Sequence, residues 1–406
     1  MPELLRRSCL ICKSSKIQDI IDLGMHPFAD KFVRGNDKYL DEKIFPLVAC
    51  LCQDCGNIQQ KIITKPEARY SDNEYSYTSS NSDYSRLYWK CFADHIVKIK
   101  SGTSLKILEI GSNDGYLLSL LKKFNSFVLG IDPSPNMNKL ARKRSINTLQ
   151  DLFSLKNAYK IKKIYKKFDV VIANNVLNHS NDPVNFFRGI KQILKRDGLF
   201  ITENPYWPDT IAKGFFDQIY HEHVSYFTIK SILKICENNN LYIYDIIKTS
   251  YHGSSIKIII GFDKKKEIKK KIDQFIKTEN NKKIFNYSFY KKLMKKINYK
   301  KLKFIKKLIN LKLQSKKIIC IGASAKGNTF LNFYGLNSNL IDFVTDLSPK
   351  KIGKLTPLSR IPIKSDYEIS KVEKPYIILT AWNLSNILKK KIKKINSNIK
   401  ILNPFI

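Results

Sequence analysis

Between Leu105 and Tyr206 the apolar residues fall into short runs, each followed by a polar turn and then by a stretch with apolar positions at helical spacing. The segments LKILEIGSNDGYLLSLLKKF, FVLGIDPSPNMNKLARKR, KFDVVIANNVLNH and DPVNFFRGIKQILKRDGLFITENPY follow one another in that order. Buried strands separated by amphipathic helices predict an α/β unit, a parallel sheet with helices on both faces. A second alternation begins near Lys316, with KKIICIGASAKGNTFLNFYGL, LIDFVTDLSPKK and PYIILTAWN. Between the two, Lys264 to Lys317 alternates lysine pairs with Ile, Phe, Leu and Tyr, the pattern of one or two amphipathic helices bridging domains. The expected division is a small domain over 1–70, the first α/β unit over 71–262, a helical linker over 263–315 and the second α/β unit over 316–406.

Cysteines change the picture at the N-terminus. Cys9 and Cys12 (CLIC) pair with Cys52 and Cys55 (CQDC), and Gly56 follows directly. This spacing reads as a zinc site, in which four thiolates close a tetrahedron and leave no position for water, so the metal is expected to be structural. Cys50 is a nearby competitor for ligation, while Cys91, Cys236 and Cys320 stand in apolar contexts and are expected in the core.

A chain of 406 residues with 43% hydrophobic and 26% charged residues has room for several packed domains. The start, MPELLRRSCLICK, has no apolar core of signal-peptide length, and no apolar run is long enough to span a bilayer. A cytoplasmic monomer without a membrane partner is the expectation. The net charge of +37 is carried mostly by lysine spread through Ile- and Asn-rich sequence, which reads as a solvated surface rather than a dedicated nucleic-acid face.

The glycine-rich loop of the first α/β unit is EIGSNDG, in which Glu109 precedes Gly111 and Gly115. Glycines there let the backbone approach a ligand at a helix N-terminus. Asp132 ends the next strand, placed for ribose hydroxyls, and Asn174 and Asn175 follow a later one. The loop is not G-x-G-x-x-G and resembles that of class I S-adenosylmethionine methyltransferases. The resemblance assigns the cofactor to Glu109, Gly111, Asn113, Asp114, Gly115, Asp132, Asn174 and Asn175, with Asp151 at the adenine edge. In the second unit GASAKG lacks the P-loop lysine, because Asn328 stands at that position. A strand, a small-residue loop and a helix can still hold phosphates through backbone amides and Lys326, with Asp346 ending the next strand.

Phe216 to Thr228, FDQIYHEHVSYFT, packs Tyr220, His221, Glu222, His223 and Tyr226 together. An imidazole beside a carboxylate and phenols suits a general base near neutral pH. An aromatic loop whose histidines merely satisfy hydrogen bonds is the plainer alternative. A zincin site is excluded, since H-E-x-x-H from His221 would need a histidine where Ser225 stands. Upstream, YSDNEYSYTSSNSDYS has the aromatic and hydroxyl content of a loop over a polyhydroxyl ligand, with Tyr75 and Tyr77 as candidates.

In order, CLIC, CQDCG, DLGMHPFADKF, YSYTSSNS, LEIGSNDG, ANNVLNH, FDQIYHEHVSYF, YHGSSIKI, GASAKGNTFLNF and LTPLSRIPI make the chain resemble the sugar C-methyltransferase family, and within it the deoxysugar 3-C-methyltransferases of tetronitrose biosynthesis. The resemblance implies a zinc-ribbon-like domain, a class I methyltransferase Rossmann-like domain and a second, C-terminal Rossmann-like domain. It also implies S-adenosyl-L-methionine, a structural Zn2+ and a nucleotide-linked 4-keto-6-deoxy sugar methylated on the carbon next to its ketone. His223 would be the base, Tyr220 and Glu222 would orient it and the sugar, His179 would meet the substrate or enolate oxygen, and Tyr75 or Tyr77 would close over the ring. Gly322, Ala323, Ser324, Lys326, Asn328 and Asp346 would hold the nucleotide. His221, Gly327 and Asn328 depart from the pattern of those enzymes, which leaves the nucleotide and the sugar open. Methylation at oxygen or nitrogen, and a zinc-containing nucleic-acid-binding protein, remain as alternatives.

Overall fold

In the computed structural model, residues 5–37, 39, 41–70, 77–101 and 104–404 are described. The central unit is a seven-stranded sheet in the order Tyr242–Thr249, Ser255–Gly261, Leu194–Pro205, Phe168–Asn174, Lys106–Ile110, Phe127–Ile131, Thr148–Leu149. Its middle strands are apolar on both faces, Val170 to Ala173 being wholly buried, which is what helices on both sides require. The expected parallel sheet is corrected at one edge: Ser255–Gly261 pairs antiparallel with Leu194–Pro205 and with Tyr242–Thr249. Strand order reverses between Lys106–Ile110 and Phe168–Asn174, so their carboxyl ends open a crevice there.

The C-terminal sheet is parallel throughout, in the order Ile363–Lys364, Phe343–Thr345, Ile318–Ile321, Tyr376–Leu379, Lys400–Leu402. The N-terminal sheet is antiparallel and takes its fourth strand from far along the chain. Ser225–Tyr226, directly after the Tyr220–His223 segment, pairs with Gln59 and Ile58. The first domain thereby grips the segment that carries the histidines.

The lysine-rich stretch forms helices Lys269–Asn281 and Tyr287–Leu313. Tyr290, Ile297, Phe304 and Leu311 recur every seven residues and are buried, so the helix lays one apolar stripe on the protein and leaves its lysines to solvent. That stripe joins a single core shared with Ile20 and Leu47 of the N-terminal sheet and with Phe330 and Tyr334 of the C-terminal unit. Among the described residues no helix is long and apolar enough to cross a membrane.

Candidate active site

One cleft of about 1100 Å³ runs from the glycine loop of the central sheet, past Tyr220 and His223, to the GASAKG loop of the C-terminal sheet. At its first end Gly111 has φ 67°, and a Cβ there would meet Val176 Cγ2 at 2.3 Å, so only glycine allows the loop to turn. Asp132 is fixed by accepting from the amides of Asn113 and Ser134, each at 2.9 Å. Burial still pushes it up to about 6. Glu109 is raised well above the carboxylate range by burial and then by Asp114 and Asp132. Its Oε2, both amide atoms of Asn174 and Oδ1 of Asn175 are buried without a protein partner. Unpaired buried polar atoms call for a ligand to satisfy them. Acidic and acceptor-rich, this end fits the sulfonium and ammonium of S-adenosylmethionine, with Asp151, Leu152 and Phe153 lining the more distant part.

Two of the expected cofactor residues stand behind the loop instead. Asp114 accepts from the hydroxyls of Ser79 and Ser80 and lies 3.5 Å from Arg144. Gly115 starts the helix Tyr116–Lys122 against Ala141. With Asn113, whose Oδ1 accepts from the Ser79 amide and whose Nδ2 donates to Tyr77 O, Asp114 fastens the Tyr- and Ser-rich segment across the loop. Tyr77 lines the cleft and meets the Tyr251 hydroxyl at 3.2 Å, whereas Tyr75 lies outside the described residues.

The two histidines of the central segment have separate fates. His223 Nδ1 is 3.0 Å from the Gln218 carbonyl, which can only accept, so Nδ1 carries the proton. Nε2 is then an acceptor, and the Tyr220 hydroxyl donates to it at 2.6 Å. Both side chains line the cleft. His221 turns the other way, to the His26 carbonyl at 3.2 Å, with its ring against the edges of Phe28 and Phe45. Burial pulls it down to about 4, and it is a core residue.

Glu222 lines the cleft, and its carboxylate is held by the first domain. It accepts from the amides of Ala29 (3.4 Å) and Asp30 (3.1 Å), and burial raises it to about 7. His179 does reach the cleft, its ring 5.0 Å from that of His223 and its Nδ1 2.5 Å from the Tyr70 hydroxyl. Burial, then the neighbouring Arg69, lower it to about 3, so it is neutral. Arg69 donates to the carbonyls of His179 (3.1 Å) and Glu222 (3.4 Å), tying both to the first domain.

Residues 9–70 match a zinc binding domain, 84–246 a methyltransferase domain and 250–403 the C-methyltransferase C-terminal domain. The chain thus carries the domain of an S-adenosylmethionine-dependent methyltransferase, flanked by regions similar to those of C-methyltransferases. C-methyltransferase NovU of Streptomyces niveus is 26% identical over 92% of this chain and 89% of its own. A tRNA U34 carboxymethyltransferase of Campylobacter lari is 30% identical over 31% of this chain and 45% of its own. Among solved structures, magnesium protoporphyrin IX methyltransferase from Synechocystis with bound SAH covers 43% of this chain and 82% of its own, at 17% identity and a TM-score of 0.35.

At the far end of the cleft the charge reverses. Gly322, Ser324, Lys326, Asp346, Lys350 and Lys351 line it. Burial lowers Lys326, an effect that the facing Asp217 opposes. Ala323 contributes its amide, which donates to Asp346 Oδ2 at 2.9 Å. Asn328 is corrected from ligand residue to tether: it is 1% exposed and its Nδ2 donates to the Ala29 carbonyl at 2.6 Å. The metal site is assembled. The sulfurs of Cys9, Cys12, Cys52 and Cys55 lie within 4.8 Å of one another, which suits four thiolates at about 2.3 Å from zinc. Cys50 points to the Gln59 carbonyl and is no competitor, and Cys91 is exposed rather than buried, while Cys236 and Cys320 are in the core.

Tyr70, Asp30, Gln218 and Lys350 were not foreseen in the cleft or beside its histidines. The HPFAD motif was the available signal for Asp30. Tyr70 sits at the end of helix Pro66–Tyr70, and its sequence gives no hint of a histidine partner at position 179.

Proposed function

We propose that the enzyme transfers the methyl group of S-adenosylmethionine to the carbon next to the keto group of a nucleotide-linked 4-keto deoxysugar. The observation that carries this reading is the Tyr220–His223 pair, midway along a cleft that is acidic at one end and basic at the other. The acidic end suits a cationic methyl donor and the basic end a diphosphate, which leaves the sugar ring over the pair. The proton on the carbon next to the ketone passes to the Tyr220 oxygen as the phenol proton passes to His223 Nε2. The charge then rests on the enolate oxygen; the Tyr70–His179 pair, which spends one proton on its own hydrogen bond, keeps one further N–H or O–H to donate to that oxygen. The enolate carbon takes the methyl group, the carbon–carbon bond forming as the carbon–sulfur bond breaks, and a neutral thioether leaves.

Incubation with S-adenosylmethionine and a panel of nucleotide-linked 4-keto-6-deoxy sugars is expected to yield S-adenosylhomocysteine and a product heavier by one methylene. Fragmentation in the mass spectrometer should place the methyl on a ring carbon. A methyl on oxygen or nitrogen would overturn the reading.

A further inference from the structure

Two arginines are buried beside the residues that line the middle of the cleft. Arg69, in the helix Pro66–Tyr70, is 6% exposed, and Arg6, three residues before Cys9, is 7% exposed. Both donate to one oxygen, Asn181 Oδ1, at 3.2 Å from Arg69 and 3.4 Å from Arg6. The Asn181 Nδ2 donates to the Thr64 carbonyl at 2.9 Å, which keeps that oxygen turned to the guanidiniums. Among the described residues neither arginine forms an ion pair, and the Nε of each is buried without a protein partner. Burial, then the charge of Arg69, lower Arg6 to about 10. Asp182 opposes this more weakly, since its carboxylate is spent on the amide and side chain of Asn185. Two buried like charges that share one neutral acceptor are costly unless a negative charge comes to meet them.

The place where that charge would arise is set by what Arg69 touches. Its Nη1 is 3.1 Å from the His179 carbonyl and 3.4 Å from the Glu222 carbonyl, and its guanidinium carbon lies 5.5 Å from the centre of the Tyr70 ring. Tyr70, His179 and Glu222 all line the cleft. Burial raises the Tyr70 phenol, and Arg69 is the group that opposes this most, ahead of the contrary effects of Glu222, Asp132 and Asp30. Burial lowers His179, and Arg69 adds to it. Both effects have one sense: the guanidinium makes the potential at the Tyr70–His179 pair more positive, which favours a negative oxygen beside it.

Resting on the enolate chemistry proposed above, we propose that Arg69, with Arg6 behind it, is the standing counter-charge of the enolate, acting through the Tyr70–His179 pair. Arg69 is a positioning residue in this account, since it reaches the sugar only through that pair. A cation already fixed in the interior needs no reorganisation when the proton leaves the carbon, so it stabilises the charged enolate more than the neutral ketone. Its effect therefore falls on the rate of proton removal and not on the binding of sugar or methyl donor.

Solvent deuterium exchange at the carbon next to the ketone tests this, in full-length zinc-loaded protein saturated with S-adenosylhomocysteine and given the nucleotide-linked 4-keto-6-deoxy sugar that the wild type accepts best. Arg69→Gln, which keeps a donor but no charge, should slow exchange about 30-fold or more while KM and S-adenosylhomocysteine affinity stay within about twofold of wild type. Arg69→Lys keeps the charge and loses the forked donors, so it should exchange within about tenfold of wild type near neutral pH. Its exchange should then fall as pH rises, because a buried ammonium gives up its proton where a guanidinium does not, and the wild type should lack that fall over the same range. Wild-type exchange in Arg69→Gln, or a rate in Arg69→Lys as low as in Arg69→Gln at every pH, would overturn the proposal and leave the enolate reading standing. Absence of exchange in a wild-type protein that binds S-adenosylhomocysteine would overturn both. If Arg69→Gln misfolds and no longer binds S-adenosylhomocysteine, the alkaline fall in Arg69→Lys decides: its presence supports the counter-charge and its absence overturns it.

Discussion

His221 and His223 carry the same side chain, yet one packs between phenylalanines and the other faces the cleft. Their partners decide this: the His26 carbonyl, Phe28 and Phe45 for His221, and the Gln218 carbonyl and Tyr220 for His223. Only Gln218 and Tyr220 are near in sequence, which is why FDQIYHEH could be read as a site while the role of Glu222 could not. Glu222 finds its donors in Ala29 and Asp30, at the opposite end of the chain. Its folded value of about 7 lies above the ordinary 4.5, so its protonated form favours the fold. That stability is complete below pH 4.5 and is lost as pH rises through 7. The histidines act in the opposite sense. His221, at about 4 against an ordinary 6.5, adds stability above pH 6.5 that is lost as pH falls toward 4. Urea denaturation across this range should show a maximum between the two limbs. Glu222→Gln should flatten the alkaline limb selectively, and an unchanged alkaline slope in that variant would refute the assignment.

At the scale of elements, the alternation of apolar runs and amphipathic helices was enough to place both α/β units. It could not show that Ser255–Gly261 runs antiparallel, because that strand is buried along its whole length and reads like any parallel core strand. Nor could it show the two-residue strand Ser225–Tyr226, too short for any periodicity. Another long-range device lies in the linker. Glu279, wholly buried, accepts from the amides of Ile229 (2.6 Å) and Lys230 (3.2 Å) and from the Tyr206 hydroxyl (2.8 Å). A carboxylate from the helix Lys269–Asn281 thus caps the helix Ile229–Glu237, which follows the Tyr220–His223 segment. Glu279→Ala leaves two amides and a phenol unmet and should cost about 1–3 kcal/mol in urea denaturation. A loss below about 0.5 kcal/mol would show that the cap is dispensable.

Across the whole molecule, the zinc domain helps to build the cleft rather than standing apart from it. Its sheet is completed by Ser225–Tyr226, its Ala29 and Asp30 amides hold Glu222, and its Ala29 carbonyl receives Asn328. The cysteine spacing announced the metal, but nothing in the pattern told that the domain of the four-cysteine cluster supports the Tyr220–His223 segment. Removing zinc with a chelator should therefore abolish methyl transfer while S-adenosylhomocysteine still binds the central sheet. Full activity of metal-free protein would contradict this.

The central claim is that Tyr220 and His223 together remove the proton from the carbon that is methylated. The direct measurement follows solvent deuterium entering that carbon by NMR, with a nucleotide-linked 4-keto-6-deoxy sugar and S-adenosylhomocysteine in place of the methyl donor. Wild-type enzyme should exchange the position, while His223→Asn and Tyr220→Phe should each slow exchange by about 100-fold or more, the usual scale of general-base catalysis. Exchange at the wild-type rate in the His223→Asn enzyme would contradict the account.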